Sequence, residues 1–352
     1  MSRILALTES DESAWLAKWQ RGERPSAHPY GIEKLRPHVG ALAFAPQVAS
    51  GRARSKVRAV FEHRAGFPIE RALRAGDLAR SADCVIGLLE PYAIAPTILR
   101  NVPGSGYRRA RVSALTCWAG EKVRSGGDDV RARVVREMNR LDDVILLSTN
   151  QIELLADAGV DPERLHAVGY GVDTEFYTPD DSVERDIDVL SVGQDLGRDY
   201  GTLFAAARST DARFHVVARQ VNLEHLDVPQ NVTFHGTIPH TGYRHFLRRA
   251  RVVAIATREL AYPTGQSVAL EAAAAGTPVV LTSTAPMREY FTDGADALLF
   301  APHDAAQLTE VLCRALSDET DSRERAARAR EKVLHRYSTE AMWRAIHTII
   351  ST

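Results

Sequence analysis

Short apolar runs separated by helical patterns are the feature that most constrains how this chain folds. Twelve such runs read as buried strands, six in each half of the sequence. Strands that alternate with helices are typical of βαβ units and parallel sheets. We therefore predict an α/β fold with two Rossmann-like domains in tandem. The predicted strands are residues 4–7, 41–45, 84–88, 111–115, 144–148, 165–168, 188–192, 213–218, 232–235, 252–256, 278–281 and 297–300.

A polar, proline-containing segment at residues 178–182 separates the two sets of strands. Linkers between domains have this composition, and a chain of 352 residues is longer than one hydrophobic core usually serves. The predicted domains are residues 1–178 and 179–335, followed by a C-terminal helix at residues 336–352. Ser338 or Thr339 is expected to cap that last helix.

Composition disfavours several classes of protein. Hydrophobic residues make up 45% of the chain and charged residues 25%, as in ordinary soluble proteins. No apolar run approaches the roughly 20 residues that span a bilayer, and the first residues predict a strand rather than an export signal. Cys84, Cys117 and Cys313 are odd in number and widely spaced, which disfavours disulfides and a zinc site. We expect three small buried side chains in a cytoplasmic protein.

Basic residues are concentrated towards the start of the chain. Residues 1–124 carry nine more basic than acidic residues, whereas the remainder carries ten more acidic than basic residues. Residues 52–80 hold eight Lys and Arg against three acids, interleaved with apolar side chains. Such a surface predicts peripheral contact with an anionic membrane or binding of a phosphorylated acceptor. A solvated arginine-rich face is the alternative. No recognised nucleic-acid-binding module is present, so nucleic acid is not an expected partner.

Residues 262–278 read as a loop, a short helix, a stop and a buried strand. Thr264 or Ser267 is expected to cap the start of the helix, and Gly276 to end it in the left-handed conformation. The preceding strand, at residues 252–256, delivers this loop to the carboxyl edge of the sheet. Open α/β folds bind their ligands at that edge.

The start of this short helix suits a nucleotide. A helix that begins after Gly265 presents unpaired N–H groups and a partial positive charge, which favour a diphosphate. Glu271 lies one turn beyond Ser267 on the same face. A carboxylate there can accept hydrogen bonds from two neighbouring ribose hydroxyls. An ordinary helix with one surface glutamate is the alternative.

A second loop, at residues 192–200, follows the first strand of the second half. Gly193 ends the strand, Gly197 lies in the loop, and Arg198 precedes a predicted helix. An arginine at this point can neutralise a phosphate leaving group. Taken alone, the pattern equally fits a glycine turn with a solvated arginine, so its interpretation depends on its pairing with residues 262–278.

Over residues 140–316 the chain resembles the retaining GT-B glycosyltransferases of family 4, the group 1 glycosyl transferases. The motifs that carry the resemblance are Ala-Gly-Val-Asp-Pro-Glu-Arg-Leu at residues 158–165, Tyr-Gly-Val-Asp at 170–173 and the alanine-rich run from Glu to Gly-Thr-Pro at 271–278. The resemblance implies an acceptor domain followed by a donor domain, facing each other across a cleft. It also implies that the last helix packs back on the first domain.

The resemblance also implies roles for individual residues. Glu271 is the ribose-binding glutamate, and Arg198 is the phosphate-binding cation. Gln266 and Ser267 offer donors to the diphosphate, and the loop around Ile238 holds the base. The rest of the predicted donor site is Gly193, Gln194, Thr264 and Gly265. Arg198 and Glu271 are the predicted catalytic residues.

Three positions depart from the family pattern. Pro263 stands eight residues before Glu271, where the family usually has a glutamate that contacts the transferred sugar. Gln194 replaces an arginine, and Asp199 stands near the position of a usual lysine. These changes leave nucleotide binding intact and remove the residues that would identify the sugar. A UDP- or GDP-sugar is the expected co-substrate.

The acceptor side carries weaker signals. Tyr30 and Gly31 form the turn into a helix, where GT-B enzymes place a glycine-rich loop, but only one glycine is present. Trp118 and Glu121 follow the strand at residues 111–115. They are predicted to face the donor sugar, and a packed tryptophan beside an exposed glutamate is the alternative.

The resemblance therefore implies transfer of a sugar from a nucleotide diphosphate to an acceptor hydroxyl with retention of configuration. The leaving phosphate oxygen would take the acceptor proton, and neither a metal nor a further cofactor is expected. The acceptor is predicted to be a small molecule or lipid-linked. Two alternatives remain, a nucleotide-sugar epimerase on the same scaffold and a non-catalytic sugar-nucleotide-binding partner subunit.

Overall fold

Two six-stranded parallel sheets form the framework of the protein, as predicted. The structure, a computed structural model, describes residues 2–46, 62 and 66–351. The first sheet has the strand order β2-β1-β3-β4-β5-β6, and the second has the order β12-β11-β10-β7-β8-β9. Every neighbouring pair within each sheet is parallel.

All the predicted strands are present, and their ends lie within two residues of the predicted ends. Strands buried on both faces read as continuous apolar runs, which makes them visible in the sequence. The strands are β1 Arg3–Leu7, β2 Ala41–Phe44, β3 Cys84–Leu88, β4 Arg111–Leu115, β5 Asp143–Leu146, β6 Leu165–Ala167, β7 Ile187–Val192, β8 Phe214–Val217, β9 Val232–Phe234, β10 Ala250–Ile255, β11 Val279–Thr282 and β12 Leu298–Phe300.

Helices connect the strands and cover both faces of each sheet. Within the described residues they are α1 Glu12–Gln20, α2 Ile69–Arg74, α3 Gly76–Ala79, α4 Glu90–Leu99, α5 Ala119–Ser125, α6 Asp128–Met138, α7 Asn150–Asp157, α8 Tyr200–Arg208, α9 His240–Arg249, α10 Gln266–Ala274, α11 Met287–Tyr290, α12 Ala305–Ser317, α13 Glu319–Arg336 and α14 Thr339–Ile350. Short 3-10 helices occur at Pro29–His38, Gly106–Arg108, Pro162–Arg164 and Gln220–Asn222.

The chain divides into two compact units. Unit 1 comprises Met1–Ala17, Ala27–Val168 and Trp343–Thr352, and unit 2 comprises Lys18–Ser26 and Gly169–Met342. The end of α14 therefore belongs with the first sheet, where Trp343 is fully buried and its indole N–H donates to the carbonyl of Tyr30 at 2.7 Å. At the start of α14, the Ser338 hydroxyl accepts from the N–H of Ala341.

Each sheet reverses its strand order at one position. In the first sheet the reversal lies between β1 and β3, and in the second it lies between β7 and β10. We call these positions switch point 1 and switch point 2. Ligands of open α/β sheets bind outside the carboxyl ends of the strands at such a position, so the topology marks one candidate site in each unit.

Two sequence predictions concern the surface. The expectation of three buried cysteines is wrong, since Cys84 is buried, Cys117 is half-buried and Cys313 is exposed. Much of the basic stretch at residues 52–80, namely 52–61 and 63–65, lies outside the described residues. In the described part, Arg71 donates to main-chain carbonyls, while Arg74 and Arg80 pair with Glu70 and Asp77.

None of the helices within the described ranges is both long and apolar enough to cross a membrane.

Candidate functional site

Arg198 lies in the loop that follows β7 at switch point 2. Its side chain is only 5% exposed, and its Nε donates to Asp195 Oδ2 at 2.8 Å. Asp195 also accepts from the N–H of Gly197 at 2.9 Å, which closes a tight turn. Asp195 thereby fixes the guanidinium, an interaction that the sequence analysis did not identify.

Two glycines allow the guanidinium to approach the backbone. A Cβ on Gly193 would lie 2.1 Å from Arg198 Nε, and a Cβ on Gly265 would lie 3.1 Å from Arg198 Nη1. Gly265 also has φ +86°, in the region that side chains rarely adopt. The structure therefore brings Gly193 and Arg198, which share one loop, together with Gly265 of a second loop.

Buried polar atoms without partners mark the space beside Gly265. Arg198 Nη1, Thr257 Oγ1 and Thr264 Oγ1 are all buried and have no hydrogen-bond partner among the described residues. Thr257 Cγ2 lies 3.5 Å from the Cβ position of Gly265. Buried polar atoms are nearly always hydrogen-bonded, so this cluster has the character of a site that a polar ligand completes.

Helix α10 starts at this cluster. Its N-cap residue is Gly265 and no side chain caps it, so the expectation that Thr264 or Ser267 caps the helix is wrong. A glycine N-cap leaves the first N–H groups without a side-chain acceptor. The helix ends near Gly276, whose φ of +69° matches the predicted left-handed stop.

Glu271 lies on α10, one turn beyond Ser267. Its Oε2 accepts a hydrogen bond from the Tyr243 hydroxyl of α9 at 2.8 Å. Burial raises the pKa of Glu271 to about 7, against the lowering effects of Tyr243, Tyr177 and Arg198. A carboxylate poised near neutral pH in a polar pocket is typical of functional sites.

A chain of polar contacts continues from this carboxylate. The Tyr177 hydroxyl lies 3.2 Å from His240 Nδ1, and His240 Nε2 lies 2.9 Å from Arg24 Nη1. Burial and the neighbouring Arg24 lower the pKa of His240 to about 4. The neutral imidazole therefore connects the tyrosines around Glu271 to the segment Lys18–Ser26, which belongs to unit 2.

The remaining predicted donor residues differ in exposure. Gln194 is exposed, Gln266 and Thr264 are buried, and Ser267 is half-buried. Ile238 is partly buried and packs against the hydrophobic core that contains Tyr243 and Val268. Asp199, near the position of the usual lysine, caps α8 by accepting from the N–H of Thr202.

The predicted acceptor residues all lie in unit 1. Tyr30 and Gly31 have φ values of +57° and +64°, inside a 3-10 helix rather than at the start of an α-helix. Trp118 is 38% exposed and precedes α5. The carboxylate of Glu121 pairs with Arg124 at 2.9 Å. Trp118 therefore lies just beyond the carboxyl end of β4, whereas Glu121 is engaged along its own helix.

In chemical terms, switch point 2 presents a fixed cation, an uncapped helix start and a carboxylate. A ligand with an anionic group and neighbouring hydroxyls matches this set. Across the described chain, no group of three or more His, Cys, Asp and Glu side chains is placed to hold a metal ion.

Known proteins are similar to this chain in sequence. The family described as Glycosyl transferases group 1 matches residues 201–318, a stretch that includes Gly265 and Glu271. MMP α-(1→4)-mannosyltransferase of Mycolicibacterium hassiacum is 26% identical over 284 residues, which cover 76% of this chain and 68% of that protein.

Solved structures share the fold over the whole chain. HepE from Anabaena, in complex with UDP, has a TM-score of 0.73 at 15% identity and matches over 99% of both chains. Sucrose-phosphate synthase from Thermosynechococcus elongatus also has a TM-score of 0.73 at 15% identity, over 99% of this chain and 98% of the synthase. These neighbours show that the chain has the GT-B fold, and within it residues 201–318 are similar to the group 1 glycosyl transferases.

Proposed function

We propose that unit 2 binds a nucleotide diphosphate sugar at switch point 2 and that the enzyme transfers the sugar to an acceptor hydroxyl with retention of configuration. The observation that carries this proposal is the buried, unpartnered Nη1 of Arg198 beside the Gly265 start of α10. A guanidinium and a helix N-terminus converge there, and both favour a diphosphate. The structural neighbour HepE has been crystallised with UDP and with UDP-glucose, which supports a UDP- or GDP-sugar.

Each donor group meets a matching residue. Glu271 accepts from the ribose hydroxyls, Gln266 and Ser267 donate to the diphosphate, and the loop around Ile238 holds the base. As the glycosidic bond breaks, negative charge develops on the leaving phosphate oxygen. Arg198 stabilises that charge, and the same oxygen takes the proton of the acceptor hydroxyl. No step requires a metal ion, so activity is expected to survive chelation with EDTA.

A binding screen tests this proposal. Isothermal titration calorimetry with UDP, GDP, ADP and TDP and their sugars should identify one preferred nucleotide. Glu271→Ala should weaken its binding about tenfold or more, as expected for losing hydrogen bonds to a charged group. Glu310→Ala, which alters an exposed glutamate of α12, is the matched control and should bind normally. If no nucleotide binds, or if Glu271→Ala binds unchanged, the site assignment is wrong.

Analysis of the reaction products distinguishes a glycosyltransferase from an epimerase and from a non-catalytic partner subunit. Incubation with the preferred nucleotide sugar and candidate acceptors should give a glycoside of unchanged anomeric configuration by NMR. Release of free 2-epimer without an acceptor would instead indicate an epimerase. Tight nucleotide binding with neither transfer nor hydrolysis would indicate a partner subunit.

The acceptor is proposed to be a small molecule or lipid-linked, and the enzyme cytoplasmic with peripheral contact to an anionic membrane through residues 52–80. The eight Lys and Arg of that stretch support this proposal because anionic lipid attracts basic segments. Co-sedimentation with anionic and with neutral liposomes tests it. Equal partitioning between the two would rule out the membrane contact.

A further inference from the structure

Glu90 occupies switch point 1. It is the first residue of α4 and follows β3, one of the two strands between which the first sheet reverses its order. Ligands of open parallel sheets bind at this position. In unit 2, Arg198 lies in the loop after β7 at switch point 2, so each switch point holds a charged side chain.

The two oxygens of Glu90 have different surroundings. The residue is only 4% exposed. Its Oε1 accepts from the backbone N–H groups of Trp118 at 2.7 Å and Cys117 at 3.3 Å, whereas the buried Oε2 has no hydrogen-bond partner in the described part of the chain. An unsatisfied buried carboxylate oxygen is unfavourable. A ligand that supplies a donor would remove that cost.

The backbone before Glu90 is strained in the same place. Leu89 has φ +83° and ψ +149°, a region that normally requires glycine. Pro91, two residues after Leu89, lies in the first turn of α4, where proline is well tolerated. Strain of this kind persists where the surrounding structure imposes it, and it concentrates at ligand sites.

Two aromatic residues belong to the surroundings of Glu90. Tyr30 is half-buried, and its pKa is raised by burial together with the nearby Cys117, Glu9 and Glu90. Trp118, whose backbone N–H donates to Glu90, is 38% exposed. Aromatic rings next to a hydrogen-bond acceptor suit a polyhydroxylated ligand, because its C–H faces pack on the rings while its hydroxyls donate.

We propose that Glu90 binds the acceptor: its Oε2 accepts a hydrogen bond from a hydroxyl of a sugar or polyol bound at switch point 1. This assignment rests on the proposed transfer reaction, because it supplies the substrate that receives the sugar. The competing explanation is structural, with Glu90 serving only to tie the end of β3 to the start of α5.

Stability separates the two explanations. Glu90→Gln keeps an oxygen for the N–H groups of Trp118 and Cys117 and replaces the unpartnered oxygen. Asp143→Asn is the matched control, because Asp143 is 1% exposed and fully engaged by Ser113 Oγ at 2.6 Å and Arg111 Nη2 at 2.7 Å. The Asn variant should lower the Tm, whereas Glu90→Gln should leave it unchanged or raise it. A fall in Tm for Glu90→Gln as large as that for the control overturns the proposal.

Ligand binding provides the second test. Methyl α-glucoside and methyl α-mannoside are used as acceptor probes in saturation-transfer NMR, with UDP present. The wild type should bind at least one glycoside, Glu90→Gln should bind it about tenfold more weakly or worse, and Asp143→Asn should bind it normally. Absence of glycoside binding to the wild type, or equal binding by Glu90→Gln, overturns the proposal. UDP titration in the same samples shows whether the donor site has failed instead.

Discussion

The two switch points share a topology and differ in chemistry. Switch point 2 presents Arg198 and the start of α10 at Gly265, both electropositive. Switch point 1 presents the Glu90 carboxylate beside Tyr30. Strand order therefore determines where a ligand can bind, while a few side chains on the following loops determine its charge. An anionic donor suits the residues at switch point 2, and a hydroxyl-bearing acceptor suits those at switch point 1.

The largest expected effect comes from removing the cation. Arg198→Ala should lower kcat about 10²- to 10³-fold, because a preorganised group no longer stabilises the charge on the leaving phosphate. Steady-state kinetics with the preferred donor measure this effect. Arg208→Ala is the control, since Arg208 is 46% exposed and pairs with Asp227. If Arg198→Ala retains wild-type activity, the electropositive character assigned to switch point 2 has no catalytic role.

A second prediction compares two glycines with similar backbone angles. Gly265 has φ +86° and its Cβ position lies 2.6 Å from Ile255 Cγ2, whereas Gly294 has φ +71° and open space around it. Both alanine variants should lose about 1 kcal/mol of stability from the backbone. Gly265→Ala alone should lose additional stability, and it should also bind UDP about tenfold more weakly. Urea unfolding and calorimetry measure the two effects, and equal UDP affinity for both variants would contradict the close approach of the diphosphate to Gly265.

A smaller change is expected from the hydroxyl that supports Glu271. Tyr243→Phe removes a hydrogen bond that lowers the pKa of this carboxyl. UDP affinity near neutral pH should fall severalfold, and its pH profile should move to higher pH because the ionised carboxylate accepts from ribose. 2′,3′-Dideoxy-UDP should be insensitive to the change.

Tyr107→Phe in unit 1 is the control for Tyr243→Phe, since the Tyr107 hydroxyl donates to the Ala72 carbonyl at 2.5 Å, away from switch point 2. A Tyr243→Phe variant that loses affinity equally for UDP and for the dideoxy nucleotide would show that Glu271 does not bind ribose.

The smallest expected effect is on stability without nucleotide. Burial raises the pKa of Glu271 in the folded protein to about 7, above its ordinary value of 4.5. The folded state therefore binds this proton more tightly than the unfolded state, and stability should fall as the pH rises between these two values. Glu271→Gln lacks this dependence. From about pH 5 to about pH 8, the Tm of the wild type should fall by a few degrees more than that of the variant, and parallel curves would contradict the raised pKa.

The sequence identifies some features of this protein and conceals others for physical reasons. The strands were predictable because burial on both faces requires continuous apolar runs. Arg198 and Glu271 stood out because each follows a glycine-containing loop at the end of a strand. The sequence analysis did not identify Tyr243, since its contact with Glu271 depends on how α9 packs against α10.

Two predictions, the N-cap of α10 and the burial of the cysteines, were wrong because residue type alone does not determine capping or burial. Serine and threonine are preferred N-caps, so the glycine N-cap of α10 could not be predicted from propensity alone. The exposure of Cys313 depends on which face of α12 is buried rather than on residue type. Glu90 was overlooked because an isolated glutamate after a strand carries no signal until the strand order places it at a reversal.

The path of the chain between the two units restricts how such an enzyme can be recombined. Lys18–Ser26 belongs to unit 2 although it interrupts unit 1, and Trp343–Thr352 belongs to unit 1 although it follows unit 2. A single cut at residue 168 would therefore deprive the amino-terminal piece of the buried Trp343 and leave the carboxyl-terminal piece without Arg24, the partner of His240. A chimera that exchanges one unit between related proteins therefore has to exchange the matching short segment as well. Joining two halves at a single point does not achieve this, so such a chimera needs more than one junction.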